Sequence, residues 1–182
     1  MPSLSHIGPE RPRLCRPSLK RDFLHQNRDH PAVSFIFSHA ATLDIDTRGY
    51  SLWGSSAGAR IAARIGSHGL QRFGGENHPK PSTVVMAYTG HSDHTSTEPA
   101  TFVVVGEDDG IAPPATMERR VAALRSIGTH VEYRKFPGLT HGFGAGTGTH
   151  AAGWIAEATS FWGKNIPYSG SKVGWLLASD SA

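Results

Sequence analysis

The sequence predicts an α/β fold, a mostly parallel sheet of about four strands flanked by helices, over residues 31–166. Three observations predict it. Two continuous apolar runs, Thr83 to Tyr88 and Thr101 to Val105, have the pattern of strands buried on both faces, as in a parallel sheet. Stretches with a three-to-four residue apolar period alternate with them. A third strand-like run, Tyr50 to Trp53, leads through glycine and serine directly into a helical pattern. Such an alternation builds crossovers of right-handed sense.

Taken in order, residues 1–30 contain Pro2, Pro9, Pro12 and Pro17 with no sustained period, and they are expected to be a basic, poorly ordered extension. Pro31 suits a first helical turn, and Val33, Ile36, Phe37, Ala40 and Leu43 follow at helical spacing, predicting a helix to about Leu43. After Gly58, the residues Ala59, Ile61, Ala62 and Ile65 predict a second helix, stopped by Gly66. Pro113-Pro114 opens a third, with Met117, Val121, Leu124 and Ile127 on one face and Gly128 at its end. Val131 to Phe136 is a fourth, weaker strand. A last helix carries Trp154, Ile155, Ala158, Phe161 and Trp162 as a stripe to cover the sheet. Residues 167–182, with a short apolar run from Val173 to Ala178, are expected to be a tail.

The chain has 182 residues, 38% of them hydrophobic, which is enough for one core. No apolar run approaches the roughly 18 residues of a membrane span, and no apolar stretch of a secretory signal stands at the N-terminus, so a cytoplasmic location is expected. One cysteine, Cys15, excludes an internal disulfide. The net charge of +3 lies entirely in residues 1–30, where six basic side chains face three acids; from residue 31 onward the charges balance. That basic segment has no aromatic interleaving and no nucleic-acid motif, and neither a nucleic-acid nor a membrane partner is expected.

Ligands of parallel sheets gather at the carboxyl ends of the strands. The loop after the first strand is Gly54-Ser55-Ser56-Ala57-Gly58, a G-x-S-x-G. Alone this pattern is weak, but between a strand and a helix it presents Ser56 above the sheet at a helix N-terminus. A serine nucleophile needs a base, and the base an orienting acid. Candidates follow two later strands: the acids of Glu107-Asp108-Asp109, and His141 in a glycine-rich loop. Any of the three acids could serve on this evidence, and adjacent acids at a strand end also make an ordinary solvated turn.

Residues 31–166 resemble the C-terminal part of an α/β-hydrolase of the esterase and dienelactone-hydrolase-like group. The segments carrying the resemblance are GYSLWGSSAG (49–58), VVVGEDDGIAPP (103–114) and FPGLTHGFG (136–144). It implies Ser56 as nucleophile, Asp109 as triad acid, three residues after the glycine, and His141 as base. It also implies the Ala57 N–H as one oxyanion donor and no cofactor. Serine at 56, where dienelactone hydrolases carry cysteine, favours a carboxylic-ester substrate. Before Gly49 there is no H-G-G-type stretch to supply a second donor, and no counterpart to the family's first strands. The chain is therefore expected to be a truncated hydrolase whose nucleophile strand is an open edge, prone to self-association. The alternative expectation is an inactive fragment or interaction module.

Two other patterns compete. His91, Asp93, His94 and Glu98 offer metal-type ligands at close spacing. Gly146-Thr147-Gly148-Thr149-His150-Ala151 matches a dinucleotide-binding G-x-G-x-x-A, but it begins about ten residues beyond its strand and no acid follows on a second strand. Neither metal nor dinucleotide is expected.

Overall fold

The computed structural model describes residues 31–167. The expected extension at 1–30 and the apolar run 173–178 lie outside the described residues. Four parallel strands, β1 (Ser51–Ser55), β2 (Thr83–Ala87), β3 (Ala100–Gly106) and β4 (Val131–Phe136), form one sheet in the order β1-β2-β3-β4. β2 is buried at every position and β3 at all but its first, as their unbroken apolar runs require. Helices α2 (Ala57–His68) and α3 (Pro114–Ser126) cover one face, where Ala59, Ala62, Val84, Met86, Val103, Met117 and Leu124 pack together. Helix α4 (Trp154–Asn165) covers the other, with Trp154, Ala158 and Phe161 against Val85, Phe102 and Val104.

Four expectations need correction. Helix α1 spans only Pro31–Ser38. Beyond it the bonding loses its regular span, with Ala40 N–H to Phe37 O three residues back, Leu43 N–H to His39 O four back and Ile45 N–H to Ala40 O five back, and Asp44 turns left-handed at φ 52°. Ile36 and Leu43, two of the residues whose spacing predicted the longer helix, are exposed. β1 begins and ends later than Tyr50 to Trp53, and Tyr88 falls just beyond β2. Gly66 does not stop α2. It lies inside the helix, and a Cβ there would stand 2.6 Å from Val84 Cγ2 and 3.0 Å from Pro99 Cγ, so its role is close packing of helix on strand; the helix runs on to Gly69. Ile127 and Ile155 also lie outside the core, since Ile127 caps α3 and both side chains are exposed.

Candidate active site

The registers bring the ends of the four strands level, with Ser55 beside Ala87 and Ala87 beside Val104. The loops that follow them therefore meet on one edge. Ser56 continues the pairing through its N–H to Ala87 O at 2.9 Å, then reverses the chain into α2 with φ 48° and ψ −116°. A positive φ is unfavourable for a non-glycine residue and persists only where the surroundings enforce it. Gly54 makes this elbow possible. A Cβ on it would run into the backbone of Gly58 and Ala59, whereas one on Gly58 would meet nothing. Close approach in the motif therefore depends on its first glycine.

Beyond β3, Asp109 is buried, while Glu107 and Asp108 face solvent. Its Oδ1 accepts the N–H groups of Ile111 at 2.9 Å and Ala112 at 2.7 Å, and its Oδ2 accepts from His141 Nδ1 at 2.8 Å. His141 Nε2 stands 2.9 Å from Ser56 Oγ. With a carboxylate accepting at Nδ1, the imidazole proton belongs there, and Nε2 is left to accept the serine hydroxyl. Asp109, His141 and Ser56, 85 residues apart at the extremes, thus form one hydrogen-bonded line. Gly106 allows the crossing of the loops that carry two of them: a Cβ on it would run into the Leu139 carbonyl, and Asp108 N–H donates to that same carbonyl at 3.0 Å.

Ala57 is the first residue of α2, so its N–H has no intrahelical acceptor and lies beside the serine at the positive end of the helix. Two hollows flank the line. One, of about 180 Å³, is bounded by Ser56, Ala57, Arg60, Thr89, Ile111 and His141. The other, of about 220 Å³, is largely aromatic and lies between Trp53, Tyr88 and Trp154.

Sequence reasoning missed Tyr88. It has φ 37°, and its ring packs edge-on against His141 at 5.3 Å and Phe143 at 4.9 Å, a contact that restrains the imidazole. The only signal available was its position at the end of a buried run. The loop after β2 also holds a buried ion pair, Arg120 to Glu98 at 3.0 Å, both side chains 1% exposed. Glu98 further accepts the Thr95 N–H at 2.7 Å, so the carboxylate ties loop to helix. Burial lowers the Arg120 pKa, opposed by Glu98.

The competing patterns resolve into other contacts. Asp93 pairs with His68 at 3.1 Å and Glu98 with Arg120, so His91, Asp93, His94 and Glu98 do not converge. Among the described residues, no three His, Cys, Asp or Glu side chains stand together as a metal site. Gly146 turns back on its own loop, where a Cβ would stand 2.7 Å from Ala151 and the Thr149 hydroxyl donates to its carbonyl. Among the described residues, no helix is long and apolar enough to cross a membrane.

The sequence pattern of the prolyl oligopeptidase family matches residues 71–167, more than half of the chain. No curated protein matches it. Three solved structures share the fold. An acetyl ester-xyloside bifunctional hydrolase from Caldicellulosiruptor lactoaceticus is 19% identical, with TM-score 0.62 over 73% of this chain and 62% of that one. Carboxyl esterase 2 from the mycorrhizal fungus Tuber melanosporum is 18% identical, with TM-score 0.61 over 75% and 60%. A carboxylesterase from Lactobacillus plantarum is 16% identical, with TM-score 0.62 over 75% and 66%. The chain thus spans about three fifths of the length of the first two. At such identities the likeness is one of fold, and it is the α/β-hydrolase fold that the motifs imply.

Proposed function

We propose that this chain, which belongs to the prolyl oligopeptidase family of α/β-hydrolases, is a serine hydrolase of carboxylic esters working through an acyl-enzyme. The observation that carries this reading is the line from Asp109 through His141 to Ser56, with the serine in a strained elbow at a helix N-terminus. In the proposed reaction Ser56 Oγ attacks the ester carbonyl carbon while its proton passes to His141 Nε2. The carbonyl oxygen becomes an oxyanion facing the Ala57 N–H. The C–O bond to the alcohol then breaks, and the alcohol leaves with the proton held by His141. Water attacks acyl-Ser56 in the second half, gives its proton to His141, and releases the acid as Ser56 recovers its hydrogen. Asp109, its Oδ1 accepting the two N–H groups, orients His141 through Nδ1 and holds the imidazolium that forms at each step.

The family match favours one second reading, cleavage of a prolyl amide by the same residues. The open edge of β1 favours another, a non-catalytic module that pairs with a further chain: among the described residues β1 has one neighbour, and Trp53 within it is 38% exposed. Initial rates on 4-nitrophenyl acetate and butyrate and on a prolyl 4-nitroanilide separate the three. The ester reading expects ester turnover that Ser56→Ala and His141→Ala abolish. Amide turnover exceeding ester turnover supports the peptidase, and rates equal in wild type and Ser56→Ala overturn the catalytic reading.

A further inference from the structure

We infer that the 180 Å³ hollow beside Ser56 is a carboxylate subsite, and that the substrates are half-esters of short dicarboxylic acids whose free carboxylate is held by Arg60 and Thr89. This rests on the ester-hydrolase reading and names the substrate class of that site.

The hollow is small against the roughly 300–1,000 Å³ usual for drug-sized ligands, so it suits a short chain. Its polar side chains, apart from Ser56 and His141, are the Arg60 guanidinium, which only donates, and the Thr89 hydroxyl, which can donate. Thr89 is 1% exposed, and its Oγ1 is buried with no hydrogen-bond partner among the described residues. A buried hydroxyl left unpaired is costly, and a ligand acceptor would relieve that cost. Arg60 stands one helical turn beyond Ser56 on α2, where side chains lean back toward the helix N-terminus, over the serine. It is exposed and makes no hydrogen bond or ion pair among the described residues. No Asp or Glu lines the hollow among the described residues, and the N-terminus of α2 adds further positive potential. His91, two residues from Thr89, has its pKa lowered by burial first and by Arg120 next, against the opposing charge of Asp93, with Arg60 and Arg64 lowering it less. A guanidinium, a hydroxyl and a helix N-terminus, with no acid among them, complement a group that only accepts hydrogen bonds and carries negative charge.

The test compares mono-4-nitrophenyl glutarate with 4-nitrophenyl valerate on the full chain. The wild type is expected to favour the charged ester, and Arg60→Gln to lower the charged-to-neutral ratio of kcat/KM by about tenfold or more. Thr89→Val should lower it by about three- to tenfold, and Arg60→Lys should restore part of the loss. A ratio that Arg60→Gln leaves unchanged overturns the subsite. If neither ester turns over, the hydrolase reading has failed, and the subsite is decided by titrating glutarate into Ser56→Ala by calorimetry. Saturable binding that Arg60→Gln weakens supports it, and no binding, or binding indifferent to Arg60, overturns it.

Discussion

Replacing Gly106 by alanine should disable the site while leaving the fold standing. The added Cβ would run into the Leu139 carbonyl and stand 2.7 Å from its carbon and 2.9 Å from the Thr140 carbonyl. These are backbone atoms of the segment leading into His141, so relief requires that segment to move. Carbon-to-heavy-atom contacts settle near 3.5–4.0 Å, which asks for a displacement on the order of 1 Å. Moved that far, His141 Nε2 would retreat from its 2.9 Å contact with Ser56 Oγ to beyond hydrogen-bonding range, and the Asp108 N–H to Leu139 bond would stretch as well. A misplacement of about 1 Å costs roughly 100-fold in rate, whereas overpacking of this kind costs about 1–3 kcal/mol in stability. The assay is the second-order rate of Ser56 phosphonylation by a fluorophosphonate, read beside the urea midpoint. The expected result is a labelling rate down about 100-fold with the midpoint lower by about 1 M. Labelling within about threefold of wild type would refute the claim that this glycine sets the position of the histidine.

Glu98→Gln should cost about 3–5 kcal/mol by leaving the buried Arg120 guanidinium uncompensated, whereas the double change Glu98→Leu with Arg120→Met should cost less than either partner's loss alone; urea melts of the four proteins decide it. Tyr88→Ala should slow Ser56 phosphonylation about three- to tenfold through the lost ring contact on His141, and Tyr88→Phe should not, since that contact is made by the ring. His91 has its pKa held below the ordinary 6.5 by burial first and Arg120 second, so the unfolded chain takes up this proton at a higher pH than the folded one. The stability it confers is complete above about pH 6.5 and is lost as pH falls through its depressed folded value. His91→Gln should therefore show a smaller drop in urea midpoint between pH 7.5 and 5 than wild type, and equal drops would contradict the assignment.

The two central strands, β2 and β3, were legible because burial on both faces leaves its mark within a single segment as the unbroken apolar runs TVVMA and TFVVVG. The G-x-S-x-G loop was legible because its pattern lies within one short segment between a strand and a helix. What stayed hidden were contacts between segments far apart in the chain. Gly66 looked like a stop because its partners, Val84 and Pro99, are remote in sequence. Gly106 looked like an ordinary strand end because the carbonyl it admits belongs to residue 139. Among Glu107, Asp108 and Asp109 the residue types alone could not choose and the resemblance implied Asp109, whose carboxylate turns inward to two backbone N–H groups, a contact no local pattern shows. Glu98 read as one of four metal-type ligands, and its buried partner Arg120 gave no signal, since burial of a charge is decided by what packs over it. Helix α1 shows the converse. Its apolar spacing persists to Leu43, yet Ile36 and Leu43 remain exposed and the helix ends at Ser38, because spacing alone supplies no surface to pack against.

The central claim is that Ser56 is an activated nucleophile, and intact-mass measurement after fluorophosphonate treatment tests it most directly. One adduct on the wild-type chain, located to Ser56 by peptide mapping and absent from Ser56→Ala and His141→Ala, is the predicted result. An unlabelled wild-type chain that melts cooperatively, or an adduct that survives in Ser56→Ala, would contradict it.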